Sequence, residues 1–146
     1  MTEDALYPIT EAENLIHRFL QCELPKGEFS HEAHLLTALY LLAKHGENTL
    51  PIIRQHLKDY LKSIGVESTD TSGYHETLTV FWLWFLKKRF VDENGKIIWN
   101  QNNVDDLIED FDLTERNIWL EHYSKECMMS VDARKNFVEP DIKPLD

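Results

Sequence analysis

Residues 72–90 read SGYHETLTVFWLWFLKKRF, and the way this stretch folds decides the architecture. From about Gly73 to Phe90 it is apolar on nearly every side of a helical wheel, the pattern of a helix buried centrally rather than laid on a surface. It opens on a polar prelude, Tyr74-His75-Glu76, and closes on Lys87-Lys88-Arg89, cations that suit the negative end of a helix dipole. A second stretch, FSHEAHLLTALYLLAKHG at 29–46, repeats the plan. Ser30 is placed to cap, His31, Glu32 and His34 follow, and an apolar run ends at His45 with Gly46 as the stop.

Outward from these two segments the chain is helical in period. In ITEAENLIHRFLQC, Thr10 and Glu13 have capping-box spacing, and Ala12, Leu15, Ile16, Phe19 and Leu20 share a face. Pro25 and Gly27 then break the helix. Pro51 belongs in the first turn of a third helix, whose stripe is Ile53, Leu57, Tyr60, Leu61 and Ile64, ended by Gly65. Asn94-Gly95 favours a short hairpin or irregular turn. Further helices are expected from about Asn103, with Val104, Leu107, Ile108 and Phe111 on one face, and after Thr114, with Ile118, Trp119 and Tyr123. Pro140 and Pro144 exclude helix at the end, which should lie extended on the surface. The expected fold is all-α, one domain over residues 1–146, a bundle of five to six helices.

Composition narrows the function classes. The 146 residues carry 26 acidic and 15 basic side chains, a net charge of −11 that repels phosphate backbones and anionic lipid, so neither nucleic acid nor membrane is an expected partner. The acidic start MTEDALYPITEAEN has no signal-peptide character and no run reaches a membrane span, which makes the cytoplasm the default location. Cys22 and Cys127 are too few and too isolated for a disulfide framework or a thiolate zinc site, and read as free thiols. An oligomer is compatible with the composition, and a small molecule is the expected partner.

The chemistry gathers at the two polar preludes. His31 and His34, three residues apart, share a helix face one turn apart, and a helix start disfavours imidazolium. If the two apolar helices lie side by side with their N-terminal ends together, His31, His34 and His75 meet in one pocket. Three neutral imidazoles form a plausible shell for Zn²⁺, Fe²⁺, Ni²⁺ or Mn²⁺ with a position left for water or substrate. On this reading Glu76 is a ligand or base, Tyr74 and Thr79 are the other candidate catalytic residues, and Glu32 holds an imidazole from behind. The function expected is metal binding in a small hydrolytic or oxidative enzyme. The alternatives are a metal-free acid-base or ligand-binding pocket built from the same residues, and an acidic helical interaction module. His17, His45 and His56 read as structural, and His122 as a helix-surface residue that could reach the pocket. No glycine-rich phosphate loop, G-x-S-x-G, H-E-x-x-H or paired E-x-x-H is present.

The elements FSHEAH, GYHETLT and ARKNFVEPDIKPL resemble those of a group of small bacterial proteins that share F-S/T-H-x-x-H, Y-H-E-T-I/L-T and A-R-x-x-F/W-V-E-P-D. The resemblance covers most of the chain. It is carried at His31, His34, Tyr74, His75, Glu76, Thr77 and Thr79, with Arg134, Glu139 and Asp141 near the end, and it implies no substrate. Independently of it, Arg134 could pair with a carboxylate or an anionic substrate if the tail folds back.

Overall fold

The computed structural model describes residues 7–146. The expectation drawn from the first six residues therefore lies outside the described residues. The fold is all-helical. Five longer helices, α1 (Ile9–Leu20), α2 (His31–His45), α3 (Thr49–Ser63), α4 (Glu76–Phe90) and α5 (Gln101–Glu109), are followed by the short α6 (Phe111–Thr114), α7 (Lys125–Met128) and α8 (Val131–Lys135).

Helix α2 is the hub: it packs against α1, α3, α4 and α5. That is why Leu35, Leu36, Leu39, Leu41 and Leu42 are all buried although they do not share one face. Helix α4 is apolar all round for a different reason. One side, with Leu83, Leu86 and Phe90, joins the main core, while Phe81 packs in a second cluster with Trp119, Tyr123 and Met128. Trp82 and Phe85 touch both clusters. The amphipathic α1, α3 and α5 each bury a single stripe.

Helices α2 and α4 pack against one another and run parallel. Residues from both N-terminal ends (His31 and His34, His75 and Thr79) line one cavity, while residues from both C-terminal ends (Leu42 and His45, Trp84 and Lys88) line another depression. The long connection through α3 makes this orientation available, as between alternate helices of an up-and-down bundle.

Several local expectations are corrected. Helix α1 begins at Ile9, so Thr10 is already helical and forms no capping box. The orphan Ile9 N–H donates instead to Gln101 Oε1, and Glu13 accepts from Trp99 Nε1. Asn94-Gly95 makes a turn, with Gly95 at φ +76°, but no strand flanks it among the described residues. Beyond Thr114 there is no continuous helix. Asp110, Ser124 and Ser130 each accept hydrogen bonds from backbone N–H groups two to three residues on and so restart the chain as single turns, with Trp119 in a 3₁₀ turn over Ile118–Glu121. Phe111, expected on the α5 face, is 78% exposed because Asp110 ends that helix before it.

The tail from Asn136 is extended, as its prolines require, and is fastened along its length. Thr77 Oγ1 donates to Asn136 O and accepts from Val138 N, Tyr123 OH donates to Val138 O, and Asp141 accepts from both the N–H and the hydroxyl of Ser124. The basic Lys87-Lys88-Arg89 cluster is largely neutralised: Lys88 pairs with Asp146 and Arg89 with Asp110.

The loop before α4 is held by close approach. Gly73 has φ +87°, and a β-carbon there would lie 2.5 Å from the Ser68 Cα. Gly73→Ala should therefore cost about 2 kcal/mol or more in urea unfolding, since both the backbone region and the contact exclude a side chain. An unchanged midpoint would show that this loop is not fixed against Ser68.

Candidate functional site

A cavity of about 470 Å³ opens between the N-terminal ends of α2 and α4. Its apolar walls come from Leu35, Ala38, Ile53, Leu57, Leu61 and Leu83, with Phe29, Trp82 and Trp119 supplying aromatic surface. Its polar lining is His31, His34, Tyr74, His75, Thr79, Arg116 and Asn117. The three imidazoles singled out from sequence thus border one space, but they are in different chemical states.

His75 is not in the first turn of α4; it is the N-cap. Its Nδ1 accepts from Leu78 N at 3.1 Å and its Nε2 lies 2.8 Å from Met128 O. Since a carbonyl can only accept, Nε2 carries the proton and Nδ1 the lone pair. Both ring nitrogens are committed, the residue is 8% exposed, and its pKa is lowered, first by burial and then by the charge of Arg134. A neutral, doubly bonded histidine is what an N-cap between two elements needs.

His31 is half committed. Its Nε2 donates to Leu113 O at 2.8 Å and the ring meets the Trp82 edge at 4.9 Å between centroids, leaving Nδ1 with the lone pair and no protein partner among the described residues. His34 is the uncommitted member. Neither of its nitrogens has a protein hydrogen bond among the described residues, and its ring stacks on Phe29 at 3.8 Å between centroids. It is exposed, and it borders the cavity. Loss of hydration, then the neighbouring His31 and Arg116, pull its pKa well below the ordinary histidine range. The ring is neutral at physiological pH.

The candidate carboxylate is elsewhere. Glu76 is 8% exposed and lies outside the cavity lining. It accepts from Arg54 through Nε at 2.9 Å and Nη2 at 2.6 Å, and from Tyr74 OH at 2.6 Å. The Arg54 hydrogen bond is the main reason its pKa is lowered, and burial followed by the bond to Glu76 raises that of Tyr74. Tyr74 therefore gives the cavity its ring and not a free hydroxyl. Thr79 Oγ1 donates back to His75 O, so its hydroxyl proton is spent on its own helix.

The remaining candidates are structural. His122 donates from Nδ1 to Lys143 O, is buried between the rings of Phe81 and Trp84, and does not line the cavity. Among the described residues Arg134 pairs with no carboxylate, and it does not line the cavity; it donates to the Gly73 and Tyr74 carbonyls before α4. Glu32, in the first turn of α2, holds no imidazole among the described residues. His17 contacts the Tyr40 edge and His45 closes α2.

Among the described residues no group of three or more His, Cys, Asp or Glu side chains converges to hold a metal ion. The donor chemistry gives the reason: His75 has no lone pair to offer, Glu76 is engaged by Arg54 and Tyr74, and only His31 Nδ1 and His34 remain. The residues present do not fit a three-histidine centre. Both cysteines are free thiols, and no described helix is long and apolar enough to cross a membrane.

Arg116 was not foreseen. It lines the cavity without an ion pair or hydrogen bond among the described residues, and Asn117 lies beside it. The only signal in the sequence is a lone cation in a strongly acidic segment, and that does not say which way the side chain faces. Comparison of the chain with protein-family models, with curated proteins and with solved structures returns no match.

Proposed function

We propose that the chain is a small-molecule-binding protein that works without a metal and holds its ligand in the cavity between α2 and α4. The observation that carries this reading is the pair of imidazoles on one turn of α2, His31 with a free Nδ1 and His34 with both nitrogens free, facing a largely apolar space of about 470 Å³. Small-molecule sites have this form, an apolar cleft of roughly 300–1,000 Å³ with a few convergent polar groups.

The roles then follow from which atoms are unspent. His34, kept neutral, offers one N–H and one lone pair in either tautomer and suits hydrogen bonding to a ligand more than strong proton abstraction. His31, its tautomer set by Leu113 O, accepts at Nδ1. His75, Glu76, Tyr74 and Arg54 keep the wall in place from behind.

The test is calorimetric titration with Zn²⁺, Ni²⁺, Mn²⁺ and Fe²⁺ alongside a small-molecule screen followed by tryptophan fluorescence, since Trp82 and Trp119 line the space. The expected result is no stoichiometric metal uptake, and binding of screened molecules that weakens about tenfold or more in His34→Leu, the loss of one hydrogen-bonding group at the cavity. Tight one-to-one metal uptake abolished by His34→Ala would overturn the metal-free reading.

A further inference from the structure

The cavity's charge is out of character with the chain. Acidic side chains outnumber basic ones 26 to 15, yet no Asp or Glu is among the residues that line it. Its ionisable lining is His31, His34, Tyr74, His75 and Arg116. Tyr74 and His75 are engaged, so the one permanent charge is the Arg116 guanidinium, unpaired among the described residues although carboxylates are abundant on this protein. Two parallel helices also direct their positive ends toward the same space.

We infer that the ligand is a small monoanion with an apolar, ring-sized body: its oxyanion head, a carboxylate or sulfonate, meets Arg116 and His34, and its body lies against Trp82 and the leucines below. This deepens the reading proposed above and rests on it. The guanidinium fork can donate two parallel hydrogen bonds to two oxygens of such a head, and a neutral imidazole adds an N–H. A cationic ligand finds no counter-charge there. A neutral apolar one would make no hydrogen bond to His34 or Arg116.

A matched pair of fluorescent probes separates the possibilities: anilinonaphthalene sulfonate and its uncharged parent, N-phenyl-naphthylamine. The sulfonate should bind the native protein about tenfold tighter or more, the range for one charge-assisted hydrogen-bonded contact at a partly open rim. Arg116→Gln should remove that preference by weakening the sulfonate about tenfold while the neutral probe still binds; Arg116 is exposed and has no ion pair or hydrogen bond among the described residues. Leu78→Trp, or Thr79→Phe should the first variant not fold, fills the cavity from α4 and should weaken both probes. Equal affinities in the native protein, or a preference that survives Arg116→Gln, would overturn the anion inference and leave the pocket intact. Failure of both probes to bind, or binding of both undisturbed by the filled cavity, would remove the pocket itself.

Discussion

Replacing Arg54 by Ala should destabilise the protein by about 3 kcal/mol, the lower part of the range for breaking a buried ion pair, because the arginine side chain is itself 35% exposed. The cost arises at Glu76. With the guanidinium gone, a carboxylate that is 8% exposed keeps only the Tyr74 hydroxyl. The reverse change, Glu76→Gln, leaves an arginine that can turn to water and should cost about half as much. Urea unfolding of both variants reads the asymmetry directly.

The pH dependence gives a second handle on the same pair. Glu76 has a lowered pKa in the folded state, so the stability it contributes is full above the unfolded carboxylate range and is lost as pH falls through the folded value. In Arg54→Ala the stranded carboxylate is relieved by protonation, so the deficit should shrink between pH 7 and pH 4. A deficit constant over that interval, or none at neutral pH, would mean that the pair does not hold this wall.

The second large effect belongs to His75. His75→Ala removes the α4 N-cap and leaves Leu78 N–H and Met128 O without their partner, for a loss of about 2–3 kcal/mol. His75→Asn can restore the cap but not the reach to Met128, and should recover about 1 kcal/mol. A histidine with a lowered folded pKa contributes stability that is intact above its unfolded value near 6.5 and is lost as pH falls below it, while the unfolded chain takes up the proton first. Native stability should therefore decline below that pH by at most about 1.4 kcal/mol per unit for this group, with His34 acting in the same direction. In His75→Asn the slope should be shallower. An identical slope would mean that His75 is charged in the native protein.

What could be read from the sequence divides along a physical line. The apolar runs at 29–46 and 72–90 specify buried helices whatever surrounds them, because no polar face is available to point at water. Ser30 is a cap by its own chemistry. The meeting of His31, His34 and His75 at one cavity follows from parallel packing of those helices. The states of the three rings were not legible, since they depend on Leu113 O and Met128 O, backbone carbonyls that no side-chain pattern marks. The polar prelude raised in front of α4 turned out to serve α4: His75 caps it, and Glu76 fastens it to α3 through Arg54. Arg54 and Arg116 carry no mark in the sequence for the same reason, being single cations whose meaning lies in what they face. The broken region after Thr114 was hidden by apolar residues at helix-like intervals, while Asp110, Ser124 and Ser130 quietly set new starts.

Trp82 and Phe85 belong to two cores at once, and this has a consequence for how the cavity behaves. Floor and rim hang from the same rod: the leucines beneath come from the larger cluster, Trp119 from the smaller, and α4 runs between them. Neither wall can be displaced without disturbing the packing of the other. On the function proposed above, an incoming molecule would meet walls already held by both cores, and little of the free energy of association would be spent on shaping them.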